Sequence, residues 1–534
     1  MRRAKALAAG LALAALAGGC VGGGEEGDGD GDEQIETVAA DPKFGEQPNF
    51  VFVLTDDQNA AQYTRQTMPK AFDLFAGNGT TFESHIATTP LCCPSRASML
   101  TGQYGHNNGI LNNVPGWGSL VQPENILPVW LQRVGYRTGY VGKWLNGYKK
   151  TVENEEEVPA GWDEWFSLVG AHGYYRYKAS DNGKKTGARK TYLTQTLNKH
   201  AVAMVRQLSG EDPFFVQLSH LAPHGESPRF LSPGRCTGNA VPAPRDSRRF
   251  RDAGLPDSPS INERDISDKP GFLRRRSLIT PPRLEFFERR YECRLASLPA
   301  VDRGIGQLVR ALAAEDELKD TVFVFGSDNG VFHAEHRMPG GKGLPYDEAL
   351  QIPFAIRAPE RYRGGQPAPP SVDLPTANID VVPTIVDLAG APTCSEDDCR
   401  VMDGRSLVPL LSGREDAWPS SRPLVAEYDN GAPTVKPGRA TSCSYSGVML
   451  EQWLYVRHSA VPDAQGTCID KEVIEQYDSR RDPFQLDNLA AVKAAQTEDS
   501  LTAAGELERL LDELQDCAGI RGRDPEPASG HYCG

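Results

Sequence analysis

The sequence predicts an α/β fold with a mainly parallel sheet and helices on both faces. Short apolar runs over residues 49–54, 214–218 and 321–325 alternate with segments of helical periodicity such as residues 193–208. Runs without polar alternation are typical of strands buried on both faces, as in parallel sheets. Polar residues follow these runs directly, and ligands bind at the carboxyl edge of such sheets. We therefore expect one site at that edge.

Apolar periodicity and the proline positions predict the elements in chain order. Strands are predicted over residues 49–54, 137–141, 214–218 and 321–325, and helices from Pro69 to residue 75 and over residues 126–134, 193–208 and 284–312. Because proline lacks an amide hydrogen, the last helix is expected to be interrupted near Pro299. A smaller C-terminal part is predicted to hold strands over residues 448–458 and 472–477 and a helix over residues 500–514.

Composition divides the 534 residues into four segments. Basic residues precede an apolar run that is too short to span a bilayer, so residues 1–19 are predicted to be an export signal. Residues 20–47 are rich in glycine and acidic side chains and are predicted to be a disordered tether. A main domain over residues 48–418 and a smaller α+β subdomain over residues 419–534 are expected to follow.

The N-terminal segment also bears on localisation. Residues 16–20 resemble a bacterial lipobox, in which Cys20 would be lipidated and would anchor the protein at the outer face of the cell membrane. Plain signal cleavage, which gives a secreted protein, is the alternative. The formal net charge of −14 argues against binding to nucleic acid.

Two polar pairs at strand ends are candidate metal ligands. Asp56 and Asp57 follow the first predicted strand, and Asp328 and Asn329 follow the strand over residues 321–325. Oxygen ligands suit hard cations, and no cysteine or histidine cluster has zinc spacing, so Ca²⁺ is expected, with Mg²⁺ as the second choice. Acidic residues are also common as helix caps, which is the alternative for the first pair.

Cys92 lies in a stretch with unusual local chemistry. Pro94 favours a helix that begins at or just after Cys92, and the N-terminus of a helix favours a thiolate or an oxyanion. Arg96 adds a permanent cation. A buried pair of cysteines, Cys92 and Cys93, at a tight turn is the alternative.

The same stretch, Leu91-Cys92-Cys93-Pro94-Ser95-Arg96 ending in Leu100-Thr101-Gly102, resembles the signature of the type I sulfatases of the alkaline-phosphatase-like superfamily. Residues 374–388 and 477–490 also resemble sulfatase segments. The resemblance implies that residues 48–418 are the catalytic domain. It also implies that a formylglycine-generating enzyme oxidises Cys92 to formylglycine.

Carried over residue by residue, the resemblance implies a role for each side chain. The metal ligands would be Asp56, Asp57, Asp328, Asn329 and formylglycine 92. Arg96 would stabilise the formylglycine hydrate, and Lys143 and Lys342 would hold sulfate oxygens. One hydroxyl of the hydrate, deprotonated by Asp328, would attack sulfur while His224 or Lys342 protonates the leaving alcohol. The other hydroxyl would then expel sulfate.

The substrate is expected to be a sulfated sugar or glycan, or an aryl sulfate. Residues 142–148, with Leu145 where many sulfatases have histidine, resemble the branch that includes N-acetylglucosamine-6-sulfatases. A formylglycine-dependent phosphonate monoester or phosphodiester hydrolase on the same scaffold is one alternative. A non-catalytic glycan-binding lipoprotein is an alternative of another class.

With Cys20 lipidated, Cys92 oxidised and Cys93 beside it, eight of the eleven cysteines remain. Proximity in the chain predicts the disulfides Cys236–Cys293, Cys394–Cys399, Cys443–Cys468 and Cys517–Cys533, with free thiols as the alternative. Such pairs suit an oxidising compartment.

Residues 225–282 interrupt the α/β alternation and are predicted to form a long excursion over the site or to be partly disordered. Their arginines, among them Arg245, Arg248, Arg249 and Arg251, could contact a polyanionic substrate. Solvated surface charges paired with acidic residues are the alternative.

Overall fold

Strand β1, Asn49–Thr55, is buried along its whole length at the centre of a ten-stranded sheet. The computed structural model describes residues 47–148, 157–395, 398–435 and 442–534. The strands after β1 are β2 Thr80–Phe82, β3 His85–Ile86, β4 Arg137–Lys143, β5 Glu164–Leu168, β6 Tyr177–Asp181, β7 Lys184–Ala188, β8 Phe214–Ser219, β9 Thr321–Ser327, β10 Phe354–Arg357, β11 Ser371–Val372, β12 Thr376–Ala377, β13 Cys394–Ser395, β14 Asp398–Cys399, β15 Leu424–Asp429, β16 Ser444–Leu450, β17 Trp453–Pro462 and β18 Cys468–Asp478.

The large sheet has the order β11-β2-β10-β9-β1-β8-β4-β5-β6-β7. Its central strands, β9, β1, β8, β4 and β5, are parallel to one another. Strands β10, β6 and β7 add antiparallel pairings on either side. The predicted α/β class with a mainly parallel sheet is therefore confirmed.

Helices cover both faces of this sheet. The α-helices in the described part of the chain are Pro69–Asn78, Cys92–Thr101, Gly105–Asn108, Leu127–Arg133, Leu193–Leu208, Gly271–Arg274, Pro281–Ala314, Asp347–Leu350, Val381–Ala389, Val408–Leu411 and Glu498–Leu514. Val51 and Val53 of β1 pack in one core with the helices Leu193–Leu208 and Pro281–Ala314. Phe50, Phe52 and Leu54 pack on the opposite face, in a core shared with the helices Leu127–Arg133 and Val381–Ala389. Side chains of one strand thus reach both cores because they alternate between faces.

The helix Pro281–Ala314 continues through Pro299, so the predicted interruption was wrong. A proline inside a helix costs about 3 kcal/mol through its lost hydrogen bond and its ring. Here Leu298 and Ala300 are buried in the sheet-facing core, and Pro299 between them is buried as well. Packing on both sides of the proline therefore outweighs the local penalty.

A second, antiparallel sheet forms the C-terminal α+β part, with the order β15-β16-β17-β18. The helix Glu498–Leu514 packs on it through Leu507 and Leu511. The single strand predicted over residues 448–458 was wrong, because β16 ends at Leu450 and β17 begins at Trp453. Between them Glu451 turns the chain with a φ of 53°.

All four predicted disulfides are present: Cys236–Cys293, Cys394–Cys399, Cys443–Cys468 and Cys517–Cys533. Cys92 and Cys93 are buried free thiols. Within the described ranges, no helix is long and apolar enough to cross a membrane. The predicted signal peptide, the acidic tether up to residue 46 and the lipidation site Cys20 lie outside the described residues.

The excursion over residues 225–282 is described throughout and contains one short α-helix, Gly271–Arg274. A disulfide joins Cys236 in this segment to Cys293 in the long helix. Arg249 lies 4.0 Å from Asp246, and Arg245, Arg248 and Arg251 are exposed. The pairing of Arg249 agrees with the surface-charge alternative for that residue.

Candidate active site

The carboxyl ends of four neighbouring strands meet at one edge of the large sheet. Asp56 and Asp57 follow β1, and Asp328 and Asn329 follow the adjacent parallel strand β9. The backbone N–H of Asp57 donates to Asp328 Oδ1 at 3.0 Å, and that of Asp328 donates to the carbonyl of Thr55 at 3.1 Å. These bonds fix the two polar pairs against each other.

Lys143 is the last residue of β4, and it reaches the same edge. Its Nζ atom contacts Asp56 Oδ2. Its carbonyl accepts hydrogen bonds from Arg96 Nη1 at 2.7 Å and from the Tyr140 hydroxyl. Because the backbone at Lys143 is held from two sides, its ammonium group is directed towards Asp56.

Cys92 is the first residue of the helix Cys92–Thr101, as predicted, and only 2% of it is exposed. Its Sγ atom lies 3.7 Å from Asp56 Oδ1 and 2.7 Å from Lys342 Nζ. Burial raises the pKa of the thiol to about 11, although Lys143 and Lys342 oppose the shift. Burial thus opposes the thiolate that the helix N-terminus favours, and a protonated thiol is a poor nucleophile.

Buried charges of opposite sign surround Cys92. Arg96 Nε donates to Asp328 Oδ2 at 2.8 Å, and Lys342 Nζ contacts Asp57 Oδ1. Burial alone would raise the pKa of Asp57, but Lys342 and His224 hold it well below its usual value. Burial and the nearby Asp56 charge raise the pKa of Asp328. The carboxylates thus differ in basicity, and Asp328 is the better proton acceptor.

Asn329 presents an oxygen atom to the same cluster. Its Nδ2 atom donates to Asp57 Oδ1 at 2.7 Å and to the Gly330 carbonyl at 2.8 Å, which orients the amide. Its Oδ1 atom is buried and has no hydrogen-bond partner among the residues that the structure describes. Ligand atoms of Asp56, Asp57, Cys92 and His224 lie within 4.8 Å of one another. Buried carboxylates beside an unsatisfied amide oxygen fit a hard divalent cation.

His224 lies beyond the end of β8, and its ring faces the carboxylates. Its Nδ1 atom is 2.6 Å from the Gly225 carbonyl, so Nδ1 carries the proton of the neutral ring. Its Nε2 atom lies 3.7 Å from Asp57 Oδ2, and 35% of the side chain is exposed. Burial lowers the pKa of His224, against the opposing effect of Asp56 and Asp57. Among the predicted site residues it is the one most open to solvent.

The structure thus brings the predicted catalytic and metal-binding residues into one cluster, and it adds two residues that the sequence analysis missed. Arg294 donates through Nη2 to the Asp57 carbonyl at 2.6 Å. His172 lines a cavity of 380 Å³ together with Lys143 and Asn146. The sequence did contain a signal for Arg294, which is a charged residue within the buried segment of a long helix. His336, near Lys342 in sequence, instead pairs with Glu263 at 2.7 Å.

The fold and this cluster define an α/β protein with a buried centre of opposing charges. The Sulfatase family model matches residues 48–391, and the chain belongs to the sulfatase family. Over 390 residues it is 34% identical to an arylsulfatase of Volvox carteri, which covers 68% of this chain and 58% of the relative. The chain therefore spans little more than half of that relative. It is 30% identical over 506 residues to the N-acetylglucosamine-6-sulfatase of Homo sapiens, with 90% of this chain and 86% of the relative covered.

Solved structures share the fold. One is a protein in complex with its substrate D-glucosamine-2-N,6-O-disulfate, with a TM-score of 0.68, 22% identity and coverage of 88% of this chain and 98% of that chain. Another is the phosphonate monoester hydrolase of Agrobacterium radiobacter, with a TM-score of 0.60, 20% identity and coverage of 87% and 95%. At these identities the likeness establishes the fold and leaves the reaction open.

Proposed function

We propose that this protein hydrolyses sulfate monoesters with a nucleophile formed from Cys92. The observation that carries the proposal is the position of Cys92 at a helix N-terminus, between Asp56 and Lys342, in a chain of the sulfatase family. The buried, protonated thiol agrees with a residue that must be oxidised to formylglycine before it reacts. A formylglycine-generating enzyme would be the partner in this maturation.

The proposed metal is Ca²⁺, with Mg²⁺ as the second choice. Its ligands would be Asp56, Asp57, Asp328, Asn329 and the oxidised side chain at position 92. The unsatisfied Oδ1 atom of Asn329 and the buried carboxylates support this set. A bound cation would draw charge from a sulfate oxygen and from the nucleophile. Ca²⁺ accepts the irregular mixture of carboxylate and amide oxygens more readily than Mg²⁺ does.

The remaining roles belong to the protein's own side chains. The formylglycine hydrate would supply one hydroxyl to attack sulfur and a second to release sulfate. Lys143 and Lys342 would bind sulfate oxygens, and Arg96 would hold the hydrate. Asp328, whose pKa is raised, would accept the proton of the attacking hydroxyl. His224 would have to bind a second proton, at Nε2, and in this imidazolium form it would donate that proton to the leaving oxygen as the sulfur–oxygen bond breaks. Lys342, which stays protonated because its pKa is raised, is the alternative donor.

The proposed substrate is a sulfated sugar or glycan, with an aryl sulfate as the simpler alternative. The relative named N-acetylglucosamine-6-sulfatase, which aligns over 90% of this chain, supports a sugar. The cavity beside Lys143 is walled by Trp144, Tyr148 and Trp165, and such aromatic surfaces suit sugar rings.

The division into a catalytic domain over residues 48–418 and a C-terminal subdomain over residues 419–534 also remains a proposal. The start of the antiparallel sheet at Leu424 supports the boundary. We propose that the protein is exported, which its four disulfides support. Lipidation at Cys20 would then hold it at the membrane surface, and plain cleavage would release it.

One experiment separates the sulfatase from its two rivals. The purified protein is assayed with an aryl sulfate, a phosphodiester and a phosphonate monoester, and the peptide with residue 92 is analysed by mass spectrometry. We expect an aldehyde at position 92 and the highest kcat/KM for the sulfate. A higher kcat/KM for either phosphorus ester would replace the proposal with a phosphonate monoester or phosphodiester hydrolase. An unmodified Cys92 with glycan binding and no turnover would indicate a non-catalytic binding protein.

A further inference from the structure

Arg229 joins two neighbouring cavities. The first, of 380 Å³, begins at Lys143 in the candidate active site and also contacts His172. The second, of 590 Å³, lies over the hairpin formed by β6 and β7. Because Arg229 lines both, a ligand chain that leaves the active site past His172 can continue onto the hairpin.

The second cavity is strongly basic. Its charged lining residues are Arg176, Lys178, Lys185, Arg189 and Arg229, and none of its described lining residues is acidic. All five side chains are exposed. Within the described part of the chain, Arg176, Lys178, Arg189 and Arg229 form no ion pair with a carboxylate. These cations therefore remain available to an anionic ligand.

Lysines on an edge strand are a common protection against edge-to-edge association, and β7 is such an edge. This role accounts for Lys184 and Lys185 within β7. It does not account for Arg176, which precedes β6, for Arg189, which follows β7, or for Arg229 on a separate loop. Three arginines from different segments that converge on one cavity point to recognition of an anion.

The loop that carries Arg229 is fixed against the hairpin and the active site. The backbone N–H of Ser227 donates to the His172 carbonyl at 3.1 Å, and the N–H of Tyr174 donates to Glu226 Oε1 at 3.1 Å. The Tyr174 hydroxyl donates to the His224 carbonyl at 2.9 Å. The position of the basic cavity relative to His224 is therefore held by direct hydrogen bonds.

We propose that the surface formed by Arg176, Lys178, Arg189 and Arg229, called the basic groove, binds anionic groups on sugar residues that flank the scissile sulfate ester. This inference rests on the proposed function and narrows its substrate to a polyanionic oligosaccharide. Arginine guanidinium groups pair with sulfate or carboxylate oxygens in a two-point geometry. A neutral glycan or a small aryl sulfate makes no such contact.

The test compares two triple variants with the same change in charge. The first is Arg176→Gln, Lys178→Gln and Arg189→Gln in the basic groove. The control is Arg133→Gln, Arg310→Gln and Lys493→Gln, whose cationic side chains are exposed and line neither cavity. Binding of a size-defined heparin hexasaccharide is measured by calorimetry, with neutral N-acetylchitohexaose as the second probe. Circular dichroism verifies that both variants fold.

We expect the groove variant to bind the heparin hexasaccharide about tenfold more weakly than wild type, the sum expected of three exposed ion pairs. The control should stay within about twofold of wild type, because isolated surface charges contribute little. If both variants bind the heparin hexasaccharide equally more weakly than wild type, the proposed role of the basic groove is wrong. It is also wrong if wild type binds the neutral hexasaccharide as tightly as the heparin hexasaccharide.

A kinetic readout separates this inference from the proposed function. The ratio of kcat/KM for a sulfated hexasaccharide to that for an aryl sulfate should fall in the groove variant and stay constant in the control. A wild-type protein that hydrolyses no sulfate ester would refute the proposed function, while the calorimetry would still test the groove. A constant ratio in an active groove variant would refute the groove alone.

Discussion

The Nζ atom of Lys342 lies 2.7 Å from the Sγ atom of Cys92 and also contacts Asp57 Oδ1. One cation thus links the residue proposed for oxidation to a proposed metal ligand. Burial alone would lower the pKa of Lys342, but Asp57 and Cys92 raise it, so the side chain stays charged. The position suits an ammonium group that binds an anionic substrate beside the nucleophile.

The two adjacent cysteines should respond differently to substitution. Cys92→Ala removes the proposed nucleophile, so sulfate ester turnover should be abolished. Cys93→Ser should keep activity within about threefold, because the buried Cys93 Sγ donates a hydrogen bond to the Asn146 carbonyl at 3.6 Å, and a serine hydroxyl can also donate to it. Turnover of an aryl sulfate measures both. Retained turnover in Cys92→Ala would exclude the mechanism.

Arg96 should be essential for stability as well as for activity. Its guanidinium group is 3% exposed, donates to Asp328 and lies 3.8 Å from Asp56 Oδ2. Arg96→Ala would leave Asp328 buried without its ion-pair partner, which costs about 3–5 kcal/mol. The matched control is Arg65→Ala, which breaks the exposed Arg65–Asp73 pair and should cost about 0–1 kcal/mol. Urea unfolding measures the stability of both variants, and equal losses of unfolding free energy would contradict the buried network.

Removal of the proposed metal should reduce both activity and thermal stability. After chelation with EDTA, added Ca²⁺ should restore turnover and raise the melting temperature. A Ca²⁺ concentration of 100 times Kd would stabilise the folded protein by about 2.7 kcal/mol. Asn329→Ala removes the unsatisfied Oδ1 atom and should raise the Ca²⁺ concentration needed for half of the thermal shift. An unchanged melting temperature in wild type on Ca²⁺ addition would refute the site without reference to turnover.

His224 should matter most for esters with poor leaving groups. A sugar alkoxide needs a proton as it departs, whereas a nitrophenolate leaves without one. His224→Ala should therefore lower kcat/KM by about 10²–10⁴-fold on a sugar sulfate and much less on nitrophenyl sulfate. Because both kcat/KM values come from the same variant, their ratio does not depend on the concentration of active enzyme. A similar loss on both substrates would assign proton donation to Lys342 or to another group.

The sequence was sufficient for residues whose position follows from a strand end. Asp56 and Asp328 come directly after apolar strands of a parallel sheet, so their convergence could be predicted. The place of Lys143 in the site came only from the resemblance to sulfatases. Arg294 could not be placed in this way, because it reaches Asp57 from a helix more than 200 residues further along the chain. Contacts of that range depend on the packing angle of the helix, which local periodicity does not specify.

The sequence analysis missed two hairpins, for opposite reasons. The turn between β16 and β17 uses Glu451 and Gln452, which carry no glycine or asparagine signal, so the sequence predicted one strand. The β6–β7 hairpin was not predicted although it contains Asn182-Gly183, the residues preferred in tight hairpin turns. The Asn-Gly signal was present in the sequence but was overlooked. This hairpin carries most of the basic groove.

Because of His106, the protein should become less stable as the pH rises into the alkaline range. Its Nδ1 atom lies 2.8 Å from Glu427 Oε2 on β15, and its Nε2 atom lies 3.0 Å from the Cys517 carbonyl. Burial alone would lower the pKa of His106, but Glu427, and then Asp403, raise it to about 9. Because the folded pKa exceeds the unfolded value of about 6.5, the contribution is complete below pH 6.5 and is lost as the pH rises through 9.

The shift corresponds to at most about 3 kcal/mol of stability between these limits. His106→Gln removes the titrating group, so the difference in unfolding free energy between wild type and variant should shrink by up to that amount from pH 6 to pH 9.5. Urea titrations at the two pH values measure it. Asn107→Ala is the control, because the Asn107 amide donates to the same Cys517 carbonyl at 2.8 Å but does not titrate, so its loss should give the same difference at both pH values. If the His106→Gln difference is independent of pH, the pair with Glu427 is not charged in the folded protein.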